Sequence, residues 1–389
     1  MTFRLCAALL FCAALPLAAQ NTSPEFELSD QSGDKNELQT VLETAEAYHE
    51  GLGVVQNYAR AAELYLNAAR QGDPAAQNAI GRYYYEGLGV VQDPAAARRW
   101  LKAAADQGAT QHLFDYAAVI ENTDPVGAAD LYERASEAGH LEATVALGVM
   151  YQHGSGVAQD FEKARMLYEQ GVEGDHPRAQ NNLGLLYVRG DGVEQDHERA
   201  AMLFSAAAAQ GLPSAIKNLS VMYANGFGVP QSDAEAARLA QLAAGVVHDP
   251  SANSEDEKFW QDPRLITVER AAINKIEQAA SAGDPIAQFQ LAYLLVTTPD
   301  LDHAGWRRAA VFFRRGAEKG HPQAMINLAQ LYIDGRGVPQ DYVLAQMWLL
   351  RAQVAGLDEA SVVIANLQPR MTAKQINAAQ ARAAALSGE

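Results

Sequence analysis

Three sets of residues in this chain have the types and spacing from which chemistry is built. The first is Ser214-Ala-Ile-Lys217. In an S-x-x-K element the lysine stands one helical turn from the serine, where it serves as base to a hydroxyl nucleophile, as in serine β-lactamases. Those enzymes also carry S-D-N and K-T-G elements, and this chain has neither. Without them the pair reads as a serine cap and a surface lysine. The second set is His140, His176 and His321. Imidazoles ligate metals, but a compact site needs its ligands to converge, and these three sit at matching places in separate segments. They read as a loop position, and no metal or other cofactor is expected. The third set is Asn182, Asn218 and Asn327, each directly before a leucine. Asparagine is a middling helix former, so its reuse asks for a reason. Either the amides bond neighbouring helices to each other, or they form a row that binds a ligand through one donor and one acceptor per short side chain.

The elements that carry these residues recur. In the stretch from Asn181 to Gly211, Leu183, Leu186 and Tyr187 share one helical face; their i, i+3, i+4 spacing marks an amphipathic helix. Gly190 and Gly192 break it, and Asp196 is placed to cap a second helix bearing Ala200, Leu203, Phe204 and Ala207 on one face. Each helix has a single apolar stripe, so the pair must stack on neighbours to bury a core. The turn G-x-G-V appears six times, beginning at Gly51, Gly87, Gly154, Gly190, Gly226 and Gly335, three residues after a tyrosine each time. Those tyrosines read as core. Closing glycines recur at Gly72, Gly108, Gly139, Gly174, Gly211, Gly283, Gly320 and Gly356, mostly 31 to 37 residues apart. Asn182 and Asn218 lie 36 residues apart, at equivalent places in adjacent units.

This pattern resembles the Sel-one-like repeat family, relatives of the tetratricopeptide repeats. Ala179, Leu183, Gly184, Tyr187, Gly190, Gly192, Val193, Asp196, Ala200, Ala207 and Gly211 carry the resemblance, which runs over roughly residues 39 to 360. It implies an all-α fold, a right-handed α-solenoid of about nine helix-turn-helix repeats, with the first helices lining the inner surface. It also implies a non-catalytic scaffold that binds a partner protein or peptide along that surface, with Asn182, Asn218 and Asn327 as the candidate contacts. Some family members are described as binding or hydrolysing β-lactams, which is the alternative reading. Those members resemble disulfide-paired repeats, whereas both cysteines here, Cys6 and Cys12, fall within residues 1–19, which read as an export signal. Three units depart from the pattern: the third lacks the glycine turn, the seventh lacks a clear first helix, and the eighth has TTPDLDHAGW in place of its turn.

Residues 1–19 read as an export signal, with Arg4 ahead of an apolar run from Leu5 to Leu15 and small residues at Ala18 and Ala19. Phe11, directly before Cys12, is bulky where a lipidation signal takes a small residue. A polar leader, 20–37, follows; repeats one to six occupy 38–245, an irregular acidic interruption 246–263, repeats seven to nine 264–360, and a C-terminal cap 361–389. Thr372 and Gln375, like Ser232 and Glu235, have capping-box spacing. The net charge of −17 becomes −18 when Arg4 leaves with the signal. A chain this acidic disfavours nucleic acid and anionic membrane surfaces and favours neutral or basic partners. The expected location is the periplasm, with secretion beyond it as the variant, and no membrane insertion once the signal is gone.

Overall fold

A helix with one apolar stripe has to find partners on that side, and here it finds them in its sequence neighbours. The computed structural model describes residues 35–243, 259, 273–298 and 300–387. The expected signal, nearly all of the leader, the first part of the seventh unit and, apart from Phe259, the acidic interruption lie outside these residues. The described residues form nineteen α-helices, one 3-10 turn and no strand. Repeat one pairs α1 (Lys35–Glu50) with α2 (Tyr58–Arg70), and repeat two pairs α3 (Pro74–Glu86) with α4 (Pro94–Ala105). Then come α5 (Thr110–Ile120) with α6 (Pro125–Glu137), α7 (Leu141–His153) with α8 (Phe161–Glu173), α9 (Pro177–Arg189) with α10 (His197–Ala209), and α11 (Pro213–Asn225) with α12 (Asp233–Ala243). After α13 (Ile273–Ala282) follow α14 (Pro285–Val296) with α15 (His303–Glu318), and α16 (Pro322–Asp334) with α17 (Tyr342–Val354). The cap is α18 (Glu359–Leu367), the 3-10 turn Gln368–Arg370 and α19 (Ala373–Ser387). From α1 to α12, and again from α13 to α18, each helix packs on the one before and the one after it, as in a solenoid, and α19 folds back onto α17.

The turns explain the regularity. In all six G-x-G-V turns the N–H of the residue capping the second helix donates to the tyrosine carbonyl nine residues back, as Asp196 does to Tyr187 at 3.0 Å and Asp93 to Tyr84 at 2.9 Å. The glutamine just before each cap, Gln56, Gln92, Gln159, Gln195, Gln231 or Gln340, donates from Nε2 to the carbonyl seven residues earlier. Carbonyls left over at the first helix's end are thus satisfied within the turn. The second glycine of the turn serves stacking. A Cβ on Gly89 would lie 2.2 Å from the Tyr58 carbonyl carbon, and one on Gly228 would lie 2.0 Å from the His197 oxygen. Each of these glycines lets one repeat's turn sit against the start of the preceding repeat's second helix.

Three readings are corrected. Gly174 is not the closing residue of its repeat: its φ is −84°, and Asp175 holds the left-handed place at φ 55°. Asp175 lies 36 residues from both Gly139 and Gly211, so the repeat length is kept and an aspartate replaces the glycine. Its carboxylate accepts from Gln180 and Gln210, which helps an L-residue hold that conformation. The Ser232–Glu235 box forms by half: Ser232 Oγ accepts from the Glu235 N–H, but the Glu235 carboxylate turns to Arg238. The Thr372–Gln375 box forms in both directions. The cap begins at Glu359, two residues before the expected start.

The cap also reaches the far end of the chain. From α19, Gln380 Oε1 accepts from the Tyr58 N–H at 2.9 Å, and its Nε2 donates to Gln56 at 3.1 Å. Asn377 accepts from the Gly89 N–H at 2.9 Å and donates to the Gly87 carbonyl at 3.0 Å. Val55, in the turn of repeat one, is buried in the same core as α16, α17 and Ala383 of α19. It is 0% exposed, whereas its counterpart Val91 in repeat two is 87% exposed. The array therefore curves until its first and last units touch, and α19 fastens them.

Candidate functional site

The row expected from the asparagines forms in part. Asn218 Nδ2 donates to Asn181 Oδ1 at 2.9 Å, across the boundary between repeats five and six, and Asn181 donates in turn to Asn182 Oδ1 at 3.2 Å. The same bridge recurs between repeats two and three, where Asn78 donates to Asp115 at 2.7 Å. The amides therefore join adjacent repeats, and the bridge holds them in fixed orientation. Asn182 and Asn218 remain half-exposed. One N–H and the carbonyl oxygen of Asn218 have no partner among the described residues. Asn327 does not extend the row, because it is 0% exposed. Both helices of its repeat are covered on nearly every side, so no groove opens onto it. Asn181 and Asn78, the residues that make the bridges, stand one position before the row read from sequence; their signal was the spacing of 37 to a polar partner in the next repeat.

The other chemistry-bearing residues have local roles. His140, His176 and His321 cap α7, α9 and α16: each Nδ1 accepts the N–H three residues on. The acceptor role leaves the ring proton on Nε2, which reaches Gln111 Oε1 at 3.0 Å from His140 and Glu142 Oε1 at 2.9 Å from His176. These histidines tie a first helix to the one before it. No group of metal-ligating residues forms among the described residues. Ser214 and Lys217 lie exposed at the start of α11. Leu212, not Ser214, occupies the cap position there, with no side-chain capping bond, so the serine-cap reading is corrected. The turn tyrosines Tyr84, Tyr187 and Tyr332 are buried. Arg199 lies over the Tyr187 ring at 4.7 Å, and Arg314 donates to the Tyr332 hydroxyl at 2.8 Å.

A pocket of 340 Å³ opens where the two ends meet. Its walls are His49, Tyr58, Tyr65, Tyr83 and Arg82, with Gln368 and Ile376 contributed by the cap. Tyr58 and Tyr65 both meet Tyr83 edge-on, with ring centroids 5.8 and 5.7 Å apart. His49 Nδ1 bonds the Tyr83 hydroxyl at 2.6 Å. Burial pushes the Tyr65 phenol up to about 12, and the carboxylates of Glu46 and Glu50 add to the shift. Tyr83 is raised further, again chiefly by burial. Ala79, in the same wall, holds the place in repeat two that Asn182 holds in repeat five. A second depression of 910 Å³ lies along the turn of repeat five and is lined by charged groups of both signs, among them Arg165, Glu169 and Arg199.

The Sel1 repeat pattern matches residues 42–73, 74–108, 120–140, 141–176, 177–212, 213–245 and 322–352. It passes over the first helix of the third unit and the seventh and eighth units, the three units whose sequences depart from the pattern. Among solved structures, a Sel1 repeat protein from Oxalobacter formigenes is 31% identical, with a TM-score of 0.50 over 54% of this chain and 87% of that one. A protective antigen of uropathogenic Escherichia coli strains displaying an SLR fold is 26% identical, with a TM-score of 0.48 over 91% of this chain and 84% of that one. An immunity protein from Pseudomonas aeruginosa is 20% identical, with a TM-score of 0.38 over 57% of this chain and 86% of that one. No curated protein matches.

Proposed function

The chain belongs to the Sel1 repeat family, whose members generally serve as protein-interaction scaffolds and are typically not catalysts, and from that premise we propose that it is an exported adaptor that holds an extended segment of a partner protein along its first helices. The observation that carries this reading is the pair Asn182 and Asn218. They stand at equivalent places in adjacent repeats, half-exposed and locked in orientation through Asn181. An extended segment offers backbone N–H and C=O groups at regular intervals, and an oriented amide with spare donors and acceptors matches them. The net charge of −17 favours a neutral or basic segment. The signal-like segment at 1–19 supports export to the bacterial envelope, and no described helix is long and apolar enough to cross a membrane.

A crosslinking capture from the cell envelope, followed by binding of the recovered segment to Asn182→Ala/Asn218→Ala protein, tests the reading. Each lost hydrogen bond is worth about 0.5–1.5 kcal/mol, so the double variant is expected to bind about tenfold more weakly while retaining its fold. Unchanged affinity in a protein that melts cooperatively would make the asparagines purely structural. N-terminal sequencing of material from cells tests export; a retained Met1 would defeat it.

A further inference from the structure

The pocket at the junction of the chain's two ends is walled largely by aromatic side chains. Three tyrosine rings set at 71° and 82° to one another form adjacent walls of a box. Tyr58 and Tyr83 are buried and Tyr65 is half-buried, so the rings are held in place. Aromatic faces carry negative electrostatic potential and attract a cation within about 6 Å of the ring centre, most strongly where water is excluded. Glu86 lines the pocket, and the carboxylates of Glu46 and Glu50 lie close enough to act on its phenols. Glu50 acts on all three tyrosines, Glu46 on Tyr65, and Glu86 on Tyr58 and Tyr83. The resident cation at the rim, Arg82, approaches Glu86 at 3.9 Å and is more than half exposed. Among the described residues, Glu46 has no ion pair and Glu50 approaches only His49, at 3.4 Å.

We propose that this pocket binds an organic cation, an ammonium or guanidinium group on a slim apolar stem, with the stem against Leu88 and Ile376 and the charge against Tyr65, Tyr83 and the carboxylates of Glu46 and Glu50. A free small amine and the basic side chain of a partner share this chemistry. The second source rests on the scaffold reading: Ala79 places the pocket on the same line of first-helix positions as Asn182. Because Gln368 and Ile376 belong to the cap, the pocket is complete only while the two ends of the array are joined.

Calorimetric titration of the purified protein with choline and with its neutral isostere, 3,3-dimethylbutan-1-ol, tests the charge requirement. Choline, or in a parallel arm a short lysine-containing peptide, is expected to bind about tenfold more tightly than the neutral alcohol, roughly the share of one good cation–aromatic contact. Tyr65→Leu keeps an apolar wall and removes the π face; it is expected to erase most of that difference. Glu50→Gln, on an exposed side chain that leaves folding intact, is expected to weaken the cations severalfold and leave the alcohol unchanged. Preference for choline over the peptide identifies a small-molecule source, and the reverse identifies a partner's side chain. Equal binding of choline, peptide and alcohol, or no binding by any of them, overturns the proposal. Loss of partner-segment binding in the double asparagine variant is read separately and bears only on the scaffold reading.

Discussion

Repeat five and repeat nine are built on one motif and end in opposite surroundings. In α9 and α10 the buried residues form a stripe, and Met202 projects outward at 73% exposure. Its counterpart in α17 is Met347, placed six residues after the capping aspartate just as Met202 is, and it is 4% exposed. In α16, Ala324 to Ala329 and Leu331 to Ile333 are all buried, and in α17 every residue from Ala345 to Leu350 is buried. The motif sets which side of a helix faces its own repeat. What covers the other side depends on where the array leads the chain, and at repeat nine that is the cap and the turn of repeat one. A helix covered on all sides has lost the surface a partner would use, which is why Asn182 and Asn218 remain candidates and Asn327 does not.

The largest expected effect is at the junction itself. Val55→Asp puts a carboxylate into a closed apolar core, and Val91→Asp puts the same group into water. The first is expected to lower stability by about 3 kcal/mol or more, through an unpaired buried charge. The second is expected to stay within about 0.5 kcal/mol. Urea unfolding of the two variants side by side makes the measurement. Equal, small effects would mean that the ends are apart in solution.

The turn glycines sharpen the contrast at intermediate size. Gly89 and Gly53 occupy the same place in repeats two and one, with φ of 66° and 72°. A Cβ on Gly89 would strike the backbone at Tyr58, whereas a Cβ on Gly53 would meet nothing within 4 Å among the described residues. Alanine at Gly53 carries only the left-handed penalty of about 1–2 kcal/mol. Alanine at Gly89 adds displacement of one repeat against the next and is expected to cost about 2 kcal/mol more. Matching melting temperatures for the two variants would show that the second glycine has no part in stacking.

Much of this was legible in the sequence, and the limits have physical causes. The helix pairs, six glycine turns, the departures in the third and eighth units and the Thr372–Gln375 box all rest on contacts between residues close in the chain. The glutamine before each second helix is equally visible, as a six-fold recurrence five residues after the first turn glycine. Asp175 misled because a glycine stands beside it, and only backbone angles show which of the two turns left-handed. The junction was beyond sequence reading. Gln380 meets residues more than 300 positions away, and Val55 looks no different from Val91 until the array's curvature is known. The candidate pocket follows suit, since three of its ten lining residues come from α1 and α2, five from α3 and the turn after it, and two from the cap.

The smallest predicted effect has the opposite sign. Gln346 of α17 is fully buried, and neither atom of its amide has a hydrogen-bond partner among the described residues. Its counterpart in repeat five is Ala201, also buried but with nothing polar to satisfy. A buried amide without partners forfeits the hydrogen bonds it makes in the unfolded chain, so replacing it with an apolar group of similar volume removes a cost. Gln346→Leu is expected to stabilise the protein by about 1 kcal/mol. Ala201→Leu, which adds volume where the fit is already close, is expected to cost about 1–3 kcal/mol. Denaturant midpoints at unchanged slope give both values. A loss of stability in Gln346→Leu would show that the amide is bonded after all, and that the all-round burial of repeat nine is held by polar contacts as well as by the apolar core it shares with Val55.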